Sequence, residues 1–157
     1  MPLAPGTPAP DFALPLVPGE APLRLSDYRG EKPIVLLFFP LAFSSVCTEE
    51  MVRTAKEYGR WTDLEAEIVG ISVDSVFVNR KFAEECRAPF PIVSDFNRET
   101  ITAYGVRNDD FYGMKGVSNR AAFVVDRQGV IAYAWMSEDA EVMPPFDEIE
   151  TALKGDL

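Results

Sequence analysis

Histidine is absent from this chain of 157 residues, and cysteine occurs only twice, as Cys47 and Cys86. Without imidazole there is no His-based catalytic triad, and most zinc sites are excluded. No metal and no cofactor is expected. Two cysteines cannot staple a small secreted domain. Any cysteine chemistry should therefore be redox or nucleophilic, in a reducing compartment, and a cytoplasmic location is expected. Cations are scarce too: 15 Lys and Arg against 25 Asp and Glu leave a formal net charge of −10. That balance argues against nucleic acid, whose phosphates call for clustered cations, and against an anionic membrane surface. Long apolar runs are missing. The longest, Ile34–Phe39, is far short of the roughly 20 residues that span a bilayer. The Pro-rich opening, Met1–Pro10, lacks the apolar core of a secretory signal.

What is present suits a soluble globular protein: 47% of the residues are hydrophobic. A single domain covering residues 1–157 is expected, large enough to bury roughly 68–70% of its unfolded surface. Asp11–Leu14 and Pro22–Leu25 alternate and can pair as a hairpin around Pro18-Gly19. Ser26–Gly30 reads as a turn. Pro33–Phe39 is a continuous apolar run of the kind found in strands buried on both faces. Val46–Leu64 has helical spacing at Met51, Ala55, Tyr58 and Leu64, and Ile68–Val73 is a second buried strand. Ser75–Cys86 follows as a helix with Asn79, Phe82, Ala83 and Cys86 on one side. Next come a short strand at Pro91–Val93 and a short helix at Arg98–Tyr104. Two strands, Ala121–Asp126 and Val130–Met136, turn at Arg127-Gln128-Gly129. Phe146, Ile149 and Leu153 mark a last helix. Strands alternating with helices imply an α/β fold. The expectation is a thioredoxin-like domain: a central mixed sheet flanked by helices, extended by an N-terminal β-hairpin.

The chemistry concentrates at Pro40-Leu41-Ala42-Phe43-Ser44-Ser45-Val46-Cys47-Thr48-Glu49-Glu50. Ser44 and Ser45 are good helix N-caps, which puts Cys47 in a first turn whose amides lack partners. Those amides and the helix dipole favour an anion, and a thiolate is one. Ionisation alone is a limited gain, because an ordinary thiol is already a few per cent ionised near neutrality, and a lower pKa weakens the nucleophile. A fast reaction also needs donors aimed at the atom that receives charge. The Ser44 hydroxyl, the first-turn amides and a distant Arg are candidates. Glu49 or Glu50 would oppose the thiolate unless paired with a cation. Cys47 also has a plain alternative, as a small buried residue packing a helix start.

Pro40-x-x-x-Ser44-x-x-Cys47 resembles the Pro-x-x-x-Thr/Ser-x-x-Cys signature of peroxiredoxins. FFPLAFSSVCTEE closely resembles the AhpE-like branch and is similar to the bacterioferritin-comigratory-protein (PrxQ) branch. The likeness extends through Pro10–Leu14, Leu25–Gly30, Phe90–Asp95 and Asn119–Asp126. It implies a thiol peroxidase acting on hydrogen peroxide or organic hydroperoxides, with Cys47 as the peroxidatic cysteine. By resemblance Ser44 bonds thiolate and peroxide, Pro40 shields the site from water, and Arg120 holds the thiolate and polarises the peroxide. Glu50 matches an acidic position that contacts this Arg. The sulfenic acid formed on Cys47 must then be reduced. Cys86 occupies a region where some PrxQ-like members carry a resolving cysteine, and a thioredoxin- or glutaredoxin-like protein would complete the cycle. Cys86 can equally pack with Phe82 and Ala83, leaving an external thiol to act. The resemblance leaves monomer and homodimer open. Two other functions compete on this fold. A thioredoxin-type oxidoreductase needs a second Cys at the helix start, which Cys47-Thr48-Glu49-Glu50 lacks. A binding module needs no special environment for Cys47. Asp109–Gly113 reads as a surface loop with aromatic packing, though Phe111 and Tyr112 could cover the site.

Overall fold

Pro33 and Pro40 bracket the apolar run, and between them strand β3 forms over Ile34–Phe38 in a computed structural model that describes residues 1–155. Every residue of β3 is buried, which requires covering layers on both sides of the sheet. Helix α1 (Ser45–Thr62) follows, then β4 (Glu67–Ser72), α2 (Val76–Cys86) and β5 (Ile92–Ser94). β3, β4 and β5 are parallel, with Ile34 opposite Glu67 and Gly70 opposite Ile92. β8 (Arg120–Val125) and β9 (Ile131–Ser137) run antiparallel and complete the sheet in the order β5-β4-β3-β8-β9. The expected N-terminal hairpin is present as β1 (Ala13–Leu14) against β2 (Leu23–Arg24). Short α3 (Glu99–Ala103) and C-terminal α4 (Phe146–Gly155) are also where the sequence puts them. One pair is unexpected: β6 (Arg107–Asn108) with β7 (Val117–Ser118), two residues each. Nothing so short and polar carries a periodic signal.

Side-chain alternation sorts the sheet into two layers. Ile34, Leu36 and Phe38 face one core with Val69, Ile71, Ala121, Phe123 and Val125. Phe12, Leu14, Ile101 and Tyr104 cover that side. Val35, Leu37 and Phe39 face the other core with Ile68, Ala122 and Val124. Helices α1, α2 and α4 cover the second side through Cys47 and Met51, Phe82 and Cys86, and Ile149 and Leu153. The opening segment lies along the edge strand: Gly6 N–H donates to Ile131 C=O (2.7 Å) and Ile131 N–H to Thr7 C=O (2.9 Å). No helix among the described residues is long and apolar enough to cross a membrane.

The buried stripe of α1 differs from the expected one. Cys47, Glu50, Met51, Thr54 and Trp61 are buried, while Ala55 and Tyr58 are half-buried and Leu64 lies beyond the helix. The stripe includes a charged residue and a hydroxyl, each with an internal partner. Glu50 has a cationic partner, and the Thr54 hydroxyl donates to Glu50 C=O (2.7 Å).

Candidate active site

Ser44 is the N-cap of α1, with extended backbone (φ −71°, ψ 151°). The first backbone rung runs from Thr48 N–H to Ser44 C=O (2.9 Å). The amides of Ser45, Val46 and Cys47 therefore have no intrahelical acceptor. Cys47 sits among them with its side chain fully buried. The expected capping hydroxyl behaves differently: Ser44 Oγ makes no cap bond and donates to Leu41 C=O (3.0 Å). In this arrangement the Ser44 hydroxyl does not bond the sulfur.

Arg120 opens β8, two residues before Ala122 and four before Val124. It therefore shares their face of the sheet, the α1 side. Its side chain is 1% exposed. Nη2 donates to Cys47 Sγ at 3.2 Å. Nη1 donates to Glu50 Oε1 at 2.6 Å. Nε and Nη2 both donate to Ala140 C=O, at 3.1 and 2.8 Å. Burial pulls the guanidinium pKa down, but Glu50 and Cys47 outweigh it and hold it above its ordinary value. Glu50 lies one turn along α1 from Cys47, on the same face. Burial pushes its carboxyl up to about 7 against the pull of Arg120. Its Oε2 is buried with no hydrogen-bond partner. Cys47 does pack the start of the helix as a small buried residue, and its sulfur is in addition in contact with a guanidinium.

Beside Arg120 opens a depression of about 120 Å³, lined among others by Ser44, Val46, Phe111, Tyr112 and Ala140, with the Cys47 sulfur buried behind this lining. Bulk water occupies about 30 Å³ per molecule, so a small peroxide fits. Of the two readings of the Asp109–Gly113 loop, the structure puts Phe111 and Tyr112 in the wall of this depression. Phe111 and Met114 exchange both backbone hydrogen bonds (2.9 Å each), and Tyr112 and Gly113 turn the chain between them with φ of 51° and 83°.

The model of the AhpC/TSA family matches residues 5–134. This chain belongs to that family. Among curated relatives, a Synechocystis protein named as a peroxiredoxin is 37% identical over 138 residues, covering 82% of this chain and 66% of its own length. Alkyl hydroperoxide reductase E of Mycobacterium tuberculosis is 34% identical over 139 residues, covering 87% of this chain and 88% of its own. The crystal structure of peroxidoxin BcpB from the same organism superposes with a TM-score of 0.82 at 30% identity, covering 96% of each chain. The fold of this peroxiredoxin is therefore the thioredoxin-like one expected.

The remaining sequence candidates of the peroxiredoxin chain fall as follows. Pro40 is buried just beyond the end of β3. Cys86 closes α2, buried in the same apolar layer as Cys47, and both thiols are free. Burial and then Glu85 push the Cys86 thiol up. One contributor escapes sequence reasoning and another is only faintly signalled. Ala140 acts through its carbonyl, which any residue type could supply. The Phe111-Tyr112 wall is signalled only by two aromatics beside a glycine, a pattern shared with many surface turns.

Proposed function

We propose that Cys47 is the peroxidatic cysteine of a thiol peroxidase reducing hydrogen peroxide and organic hydroperoxides. The observation that carries this is the 3.2 Å contact between Arg120 Nη2 and Cys47 Sγ at a helix N-terminus. The thiolate attacks the terminal oxygen of the hydroperoxide and the O–O bond breaks. Its electron pair leaves with the distal oxygen, which takes up a proton as alcohol or water. Cys47 is left as the sulfenic acid. Arg120 balances the anion at the start and the oxygen that gains charge during cleavage. Glu50 and the Ala140 carbonyl hold the guanidinium in place. The Ser44 hydroxyl, at the mouth of the depression, is free to rotate from Leu41 toward a bound peroxide. Pro40, buried just beyond β3 and without an N–H to attract water, is assigned to shielding the site. The family name of the mycobacterial relative, alkyl hydroperoxide reductase, supports organic hydroperoxides as substrates.

Cys86 is the proposed resolving thiol, forming a Cys47–Cys86 disulfide that a thioredoxin- or glutaredoxin-like protein reduces in the cytoplasm. Its place in the same buried layer as Cys47 supports this. Cα atoms must come within about 7 Å for a disulfide, and opening of the last turn of α2 is the movement proposed to bring the two sulfurs together. Arg87, left-handed at φ 52°, already ends the helix there. Stopped-flow measurement of peroxide consumption tests the first step: Cys47→Ser should abolish it, and a wild type no faster than a free thiol overturns the assignment. Intact mass after one equivalent of peroxide tests the second. Loss of two hydrogens supports the disulfide, and gain of one oxygen assigns resolution to an external thiol.

A further inference from the structure

The loop that delivers Cys47 to its helix is strained and thinly held. Phe43 has φ of 67°, a left-handed conformation uncommon for a bulky residue. Its half-exposed ring rests edge-on against Phe82 of α2, 5.2 Å between centroids. Phe39 N–H donates to Ile71 C=O (3.0 Å) before the loop, and Thr48 N–H to Ser44 C=O after it. Over residues 40–44, one hydrogen bond among the described residues ties the loop to the rest of the molecule outside α1. Ala42 N–H donates to Asp74 Oδ2 at 2.7 Å.

Asp74 is well anchored. The Ser72 hydroxyl donates to the same Oδ2 (2.7 Å) and accepts from Asn79 Nδ2 (3.0 Å). Asn79 Nδ2 also donates to Val93 C=O (3.1 Å), and the Ser94 hydroxyl donates to Asp74 C=O (2.5 Å). Ser72, Asn79 and Ser94 are buried. Ser75, the next residue, caps α2 by accepting from Val78 N–H (3.2 Å). A rigid polar chain across β4, β5 and α2 thus ends in one carboxylate oxygen that grips the Cys47 loop. A hydrogen bond to a charged acceptor is roughly twice as strong as a neutral one.

We propose that Asp74 is a positioning residue of the peroxidase, holding residues 41–44 in the one arrangement that sets Cys47 against Arg120. This rests on the peroxidatic assignment of Cys47. Removing the grip should let the strained loop relax, with two opposite effects on one sulfur. Peroxide reacts more slowly, because the guanidinium contact is lost. A bulky alkylating reagent reacts faster, because a sealed thiol is uncovered.

The experiment compares Asp74→Ala with its parent, both carrying Cys86→Ser so that only one thiol reports. Reaction with hydrogen peroxide should fall about tenfold or more, and reaction with N-ethylmaleimide should rise several-fold. Asp74→Asn keeps an acceptor oxygen for the Ala42 amide but not the charge, and should move both rates in the same opposite directions by only a few-fold. Two rates that fall together, or neither changing, overturn the proposal. If circular dichroism shows Asp74→Ala unfolded, Asp74→Asn decides alone: it should move the rates a few-fold in the same opposite directions, and unchanged or parallel rates overturn the proposal. A parent no faster with peroxide than a free thiol defeats the peroxidase reading instead. The maleimide rate still reads the grip in that case, and an unchanged rate overturns it.

Discussion

Arg120 divides its donors among a sulfur, a carboxylate and a backbone carbonyl, and each partner fixes a different direction of the planar fork. A lysine ammonium keeps the charge but not the fork. Arg120→Lys should therefore lower kcat/KM for hydrogen peroxide about 10²-fold, as loss of a preorganised donor does, while the helix content by circular dichroism stays unchanged. Glu50 brings a pH dependence of stability. Its folded carboxyl sits at about 7 against an ordinary 4.5, because burial outweighs Arg120. Between those values the folded state holds the extra proton, so stability falls as pH rises through the window, by up to about 1.4 kcal/mol per unit. Glu50→Gln should flatten that slope, read by denaturant unfolding at pH 5 and pH 7.5. A mutant slope equal to that of the wild type would contradict the assignment. Residue by residue, the sequence exposes groups whose side-chain type matters. Cys47 stands out through its chemistry and its place at a helix start, and Arg120 and Glu50 through the resemblance to peroxiredoxins, whereas Ala140 and the resting partner of Ser44 depend on backbone placement alone.

β4 packs against α1 and β5 through a missing side chain. A Cβ at Gly70 would lie 3.2 Å from Ile92 Cγ1 and 3.6 Å from Met51 Sδ. Gly70→Val should overpack this contact and cost roughly 1–3 kcal/mol, measured by urea denaturation. It should also slow the reaction with peroxide, since Met51 is one turn of α1 from Cys47. Elements such as β3 and β4 are legible because apolar runs between prolines or turns leave few other readings. The start of α1 follows from Ser44, while its end at Thr62 falls two residues short of the Leu64 that the apolar spacing suggests. Its buried face is less legible, because Glu50 and Thr54 face inward and break the apolar stripe. β6 and β7 pair across two residues each and depend on tertiary contacts.

Tyr104 joins distant parts of the chain. Its ring packs against Phe12, Phe38 and Phe123, with centroids 6.5, 5.4 and 5.2 Å away. Its hydroxyl donates to Pro10 C=O at 2.7 Å. Tyr104→Phe leaves that carbonyl without its partner and should cost about 1–2 kcal/mol. That corresponds to a fall in Tm of roughly 2–8 °C for a chain of this size, with peroxide kinetics preserved because the tyrosine lies across the sheet from Cys47. The whole architecture is thus readable from alternation and turn chemistry, but the closing of the N-terminal segment onto the edge strand is not. Its prolines announce extended chain without naming a partner.

The hairpin of β8 and β9 carries a bulge: Val124 pairs with Tyr133 and Val125 with Ile131, leaving Ala132 of β9 as the extra residue, at the opposite end of β8 from Arg120. From Ala121 to Val125 the pairing with β3 is regular, so odd and even positions keep their sides all the way to the active-site end. Lengthening the hairpin beyond the bulge, near Gln128, leaves that count untouched. One residue added between Ala121 and Val124 reverses it at Arg120 and sends the guanidinium to the wrong side of the protein. Length variation in this hairpin should therefore be tolerated at its tip and ruinous to turnover one strand-length away.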